Sequence, residues 1–195
     1  IRFNFPKFEI ISKRNSVLMR LLSVLLFFNK NFMTTVTTTL YPRVYVPAAW
    51  TNYSSLVKCE ILAHEYVHLK DRENFKLLFE YAYLFPQILS LLSIGAFWNF
   101  SFIWFSLFLL PFPAPGRAWL EFRGYRMSMA AYYWLTGKTY NVDFMGEIFA
   151  GPSYYFMFPF RALVDRWSRE ELNKIKNYDI LSKELWEIND VFRNV

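Results

Sequence analysis

Apolar and polar positions fall into blocks along this chain, and each block has its own period. Residues 33–40 (MTTVTTTL) and 43–46 (RVYV) are rich in β-branched residues and are separated by Tyr41-Pro42. That composition predicts two short strands around a proline turn, forming a hairpin or a small edge sheet. A helix is then expected from a cap at Ser54 or Ser55, through Leu56, Ile61 and Leu62, to about Glu73. A second helical stretch follows over residues 75–84. From Tyr81 to Gly116 there is no charged residue, and residues 87–110 are, after Gln87, Leu, Ile, Phe, Trp, Ser and one Ala, interrupted by Gly95 and Asn99. Pro111, Pro113 and Pro115 end that block, and another helix is expected from Gly116 to about Leu135, stopped by Gly137.

The flanks are less regular. Residues 1–14 read as an extended, basic, aromatic arm, followed by a helix over 16–28. Residues 138–160 read as irregular and aromatic. At the C-terminus, Ser168 with Glu171 has the pattern of a capping box. Ile180, Leu181, Leu185, Ile188 and Phe192 give the stripe of a surface helix packed on the domain. The fold class expected is mainly α (α+β). Three segments divide it: an N-terminal arm and helix (1–32), a core (33–135) that includes an apolar helical hairpin (84–113), and an irregular segment with amphipathic helices (136–195).

Composition narrows the class. With 22% aromatic and 19% charged residues, the chain is too greasy for a typical soluble domain and too interrupted for a multi-span transporter. The net charge of +6 lies outside residues 161–195, whose seven basic and seven acidic groups cancel. Arg2, Lys7, Lys13, Arg14, Arg20 and Lys30 face only Glu9 in the first thirty residues, a balance suited either to solubility or to anionic headgroups. No basic run or reading motif points to nucleic acid. Cys59 is the only cysteine, so no intrachain disulfide forms and a reducing compartment is tolerated. Residues 17–28, broken by Arg20 and without a small-residue cleavage site, are not a clear signal peptide.

The chemistry concentrates in His64-Glu65-Tyr66-Val67-His68. On a helix, histidines at i and i+4 share a face, so both imidazoles reach one metal ion. Glu65 is placed to act as general base toward a water at that ion. These are the only two histidines in the chain, so a third ligand must be a carboxylate. Asp71 and Glu73 are too near in sequence to fold back. Glu80 and Glu147 are open to the role, and Glu121 suits it best, lying on a separate helix among apolar residues where a buried acid needs a partner.

This pattern resembles the gluzincin branch of the zinc metallopeptidases, which carries HExxH on one helix and a glutamate ligand on a later one. The likeness spans about residues 33–135 and extends to small phage-encoded metallopeptidases. It implies Zn2+ held by His64, His68 and Glu121, with Glu65 as base and a zincin-like active-site helix. It also implies an edge strand that pairs with a peptide or protein substrate, drawn from Thr37 and Thr38 or from Val44 and Val46. Where many members carry an Asp four residues after the glutamate ligand, this chain has Tyr125. Asp71 is a substitute for orienting a histidine, and Tyr125, Tyr132 and Arg126 are candidates for stabilising an oxyanion.

A shared metal constrains the apolar block. One helix over 87–110 is about 36 Å long and would carry His68 and Glu121 apart. A hairpin bending near Gly95–Asn99 keeps them together. Its partner is expected to be a membrane surface or a hydrophobic protein socket. The functional expectation is a membrane-associated or assembly-associated zinc metallopeptidase. The alternative is a non-catalytic structural component, of a viral particle or a membrane complex, that keeps a peptidase fold.

Overall fold

The computed structural model describes residues 1, 4–27 and 29–177. The stripe expected at Ile180, Leu181, Leu185, Ile188 and Phe192 lies outside them. The architecture is mainly helical with one small sheet, as the residue pattern predicts.

The sheet contains β1 (Glu9–Ser12), β2 (Thr38–Leu40) and β3 (Arg43–Val46) in the order β1-β3-β2. β1 runs parallel to β3, with Glu9 opposite Arg43 and Ser12 opposite Val46. β2 runs antiparallel to β3, with Thr39 opposite Val44, and joins it through a turn containing a cis Tyr41–Pro42 bond. β3 is therefore central. Val44 and Val46 are buried and do not form a substrate edge, because β1 occupies the side that a hairpin alone would leave open. The segment read as an arm thus supplies a strand, and it also buries Phe5 and Phe8. The expected strand over 33–40 is shorter, because the Asn31 carbonyl accepts the N–H groups of Thr34, Thr35 and Val36 and folds that stretch into a turn.

Helix α1 (Val17–Leu25) is capped by Ser16, whose Oγ accepts the Met19 N–H. The long helix α2 (Ser55–Phe75) starts at Ser54, whose Oγ accepts the Val57 N–H. Lys76, at φ 51°, breaks it, and α3 (Leu77–Leu84) turns away. Two 3₁₀ helices follow, Gln87–Phe97 and Phe100–Leu109, packed against each other as the expected hairpin. Side chains at i and i+3 eclipse in a 3₁₀ helix, and accordingly Phe102, Phe105 and Phe108 stack at 5.9 and 6.2 Å.

α4 (Pro115–Thr136) returns across α2, beginning at a proline and ending on Gly137 at φ 66°. Ala63 and Val67 of α2 share a core with Ala118, Met127 and Ala131 of α4. Tyr66 and Leu69, on another side of α2, pack with Phe5, Phe8, Val44 and Val46. α2 is thus held between the sheet and α4. α5 (Met145–Ala150) and α6 (Arg161–Lys176) close the far side of α4. α6 runs without a break through the proposed cap. Ser168 is buried mid-helix, and its Oγ donates to the Val164 carbonyl one turn back. Glu171 pairs with Lys174 and Arg126 instead of returning to Ser168.

Candidate metal centre

α2 presents His64 and His68 toward α4, and α4 presents Glu121 toward them. His64 Nε2 lies 3.0 Å from His68 Nε2 and 3.3 Å from Glu121 Oε2. His68 Nε2 lies 3.7 Å from Glu121 Oε1. All three side chains are buried, and together they form a group able to hold a metal ion. Four-coordinate ligands about 2.05 Å from a central ion stand about 3.3 Å apart, and the observed separations bracket that value. Two neutral imidazole nitrogens this close need a proton or a cation between them. Glu121 Oε2 is buried and accepts no well-aligned hydrogen bond, the condition expected of a ligand atom aimed at an ion.

The close approach of the helices depends on Gly124. A Cβ there would meet His64 Cε1 and Nε2 at 2.6 Å, so the imidazole occupies the space a side chain would take. Ser128, one turn further, ties the helices by donating to the Glu60 carbonyl at 3.1 Å.

Three neighbours shape the group. The Tyr83 hydroxyl, on α3, donates to Glu121 Oε1 at 2.6 Å. Thr39, on β2, donates its hydroxyl to Glu65 Oε2 at 2.6 Å. Asp71, fully buried one turn beyond His68, receives Arg123 of α4 through two bonds of 3.0 and 2.8 Å. His68 Nδ1 is buried without a hydrogen-bond partner among the described residues.

Charge and burial act in opposite directions here. Burial alone would raise Glu121, but His64 and His68 beside it and the Tyr83 hydroxyl bring it down to about 2. Burial lowers His64, and the Glu121 carboxylate more than reverses this, leaving His64 above its ordinary value. His68 stays below its ordinary value, because burial outweighs the pull of Glu121. Tyr83 is held well above the usual phenol range, first by burial and then by the Glu121 charge, so it remains a donor. Lys13, 0% exposed, is lowered by burial to about 8, with the Glu65 charge acting against that shift. Its Nζ donates to the Phe32 carbonyl at 2.7 Å and sits 3.7 Å over the Phe32 ring.

Of the residues expected from sequence, His64, His68 and Glu121 converge, and Glu65 lies beside them. Asp71 acts through Arg123 and through its charge on His68. Tyr125 does not replace the missing carboxylate. Its ring meets His64 edge-on at 4.9 Å, and its hydroxyl pairs with Tyr154 at 2.9 Å. Tyr132 is about 16 Å along α4 from Glu121 and packs on Tyr140, so it is no oxyanion group. Arg126 is directed to Glu171 on α6 and is likewise removed from that role. On the edge strand β2 it is Thr39, rather than Thr37 or Thr38, that reaches the site; strand alternation sends Thr38 the other way.

Sequence reasoning missed Tyr83, Thr39, Gly124 and Lys13. Gly124 alone left a signal, since a glycine inside a helix costs about 1 kcal/mol and implies a packing reason. No family model, curated protein or solved structure matches this chain.

Proposed function

We propose that this chain is a zinc-dependent hydrolase of peptide bonds. The observation that carries the reading is the convergence of His64 Nε2, His68 Nε2 and Glu121 Oε2 beside Glu65, at separations suited to one four-coordinate ion. Two imidazoles and one carboxylate are a donor set typical of catalytic zinc, which leaves the fourth position to water or substrate. Zinc held by His64, His68 and Glu121 would supply Lewis acidity and a more acidic water.

The chain's own residues divide the remaining work. Glu65 would take a proton from the water that adds to the peptide carbonyl and return it to the amine as the C–N bond breaks. Thr39 fixes the orientation of the Glu65 carboxylate through Oε2, and Tyr83 fixes Glu121 through Oε1. β2 has no strand on its outer side among the described residues, so its backbone offers N–H and C=O groups to an extended peptide.

The test is peptide-library cleavage by the full chain loaded with zinc, read by mass spectrometry against Glu65→Gln. The reading expects cleavage by the native chain and its loss in the variant with zinc retained. Equal cleavage by both, or none by either, contradicts it. One observation favours a second reading, a non-catalytic metal site in a structural component: Glu65 is buried and already engaged by Thr39. Thr39→Ala separates the two. A base held in readiness changes its pH–rate profile when that bond is lost, whereas a structural carboxylate changes stability alone.

A further inference from the structure

The 3₁₀ hairpin is the largest feature that the metal chemistry does not use. Exposure is greatest at its tip, where Phe97, Trp98 and Phe100 are 90%, 85% and 78% exposed. Leu91, Ile94, Trp104 and Leu109 of the hairpin extend the exposed apolar surface, and Leu77 and Leu78 of α3 are exposed as well. Contiguous apolar surface on this scale marks an interaction site.

Two observations select the partner. The first is hydrogen bonding within the hairpin. Backbone N–H groups bond inside it, from Leu89 to the Pro86 carbonyl, from Trp98 and Asn99 to Gly95, and from Phe102 to Asn99. Ser93 Oγ donates to the Ser90 carbonyl at 2.6 Å, and Asn99 Oδ1 accepts the Ser101 N–H at 3.0 Å. Gln87, at the base, donates to the Phe112 carbonyl and accepts from Arg117. Hydrocarbon demands that backbone polar groups be satisfied internally, and these bonds meet that demand.

The second observation is charge at the base. The acids there are paired: Asp71 with Arg123, Glu73 with Lys70, and Glu80 with Arg72. Lys76 is exposed without an acidic partner among the described residues, and Arg117 bonds only neutral oxygens, those of Tyr83 and Gln87. The excess is cationic where headgroups would lie.

We propose that residues 87–109 dip into one leaflet of an anionic bilayer, with Phe97, Trp98 and Phe100 as the inserted tip and Lys76 and Arg117 at the headgroups. The arms are about 20 Å long at the 3₁₀ rise, less than the roughly 30 Å of a hydrocarbon core. Among the described residues no single helix is long and apolar enough to cross a membrane, and α3 with the first 3₁₀ helix is bent by 86°. Entry by a hairpin that returns to the side it came from accords with both facts.

The test is flotation of the full chain with vesicles of phosphatidylcholine, alone and with phosphatidylglycerol, at low and high salt. We expect recruitment to the anionic vesicles, weakened by salt. The triple variant Phe97→Ser, Trp98→Ser, Phe100→Ser should lower it at least about tenfold. These positions are exposed, so zinc binding should be unchanged. If the triple variant misfolds, an environment-sensitive dye on Phe100→Cys in a Cys59→Ser background gives the second readout, a blue shift on adding anionic vesicles. No flotation, equal flotation of the variant, or an unshifted dye would overturn the proposal. Loss of a dimer in the variant without vesicle binding would assign the hairpin to a second copy instead. None of these outcomes depends on hydrolysis, so the peptidase reading stands or falls separately.

Discussion

Removing the Tyr83 hydroxyl is the smallest change that separates an oriented ligand from a merely nearby one. The hydroxyl donates to Glu121 Oε1 at 2.6 Å, while Oε2 points to His64 without a well-aligned bond of its own. Tyr83→Phe keeps the ring, which stacks on Phe79 at 5.9 Å and meets His68 edge-on at 6.3 Å. The lost interaction is a hydrogen bond to a charged group, worth about 1.5–3 kcal/mol. Groups that orient metal ligands contribute about 10–100-fold in affinity, which is the same range of energy. The assay is zinc competition against a chromogenic chelator at neutral pH, with urea unfolding measured in parallel. Tyr83→Phe should raise the zinc Kd by about 10–100-fold with one site retained. An unchanged Kd accompanied by lowered stability would show that the bond serves only the fold, and the reasoning would fail.

Three further outcomes follow from the same packing. Gly124→Ala places a Cβ 2.6 Å from the His64 ring, so it should cost about 1–3 kcal/mol of stability and abolish tight zinc binding; native-like affinity in the variant would contradict that contact. Asp71→Asn leaves Arg123 with half a buried pair and should cost about 3–5 kcal/mol by urea unfolding, and a loss below about 1 kcal/mol would remove the pair from the account. Lys13 gives a pH signature. Its folded value of about 8 lies below the ordinary 10.5, so the fold bears a buried charge below about pH 8 and sheds it before the unfolded chain does. Stability should therefore rise with pH across that window. Relative to Lys13→Met the gain should be about 3 kcal/mol, and parallel pH profiles would contradict it.

What was legible in the sequence is what short-range pattern carries. The spacing of His64 and His68 fixes a shared helical face, Ser54 and Gly137 mark helix ends, and the prolines bound the apolar hairpin. Glu121 was reachable because a buried acid and an incomplete ligand set each require the other. Contacts between distant segments left no such trace. β1 pairs with a strand thirty-four residues further on, Glu9 with Arg43, and an isolated arm gives no sign of that. Tyr83 is one tyrosine of thirteen, and nothing local marks it as the one above Glu121. Thr39 lies in a run of threonines whose choice of face depends on register. The false capping box at Ser168 shows the converse. A local pattern was overruled because the helix had already begun at Arg161, leaving the serine hydroxyl to bond back to Val164.

Equilibrium zinc titration of the full chain asks whether His64, His68 and Glu121 hold one metal ion. One zinc per chain is expected, with His64→Ala and Glu121→Gln each losing the site while Glu65→Gln retains it. Zinc bound equally well by Glu121→Gln, or no zinc bound by the native chain, would contradict it.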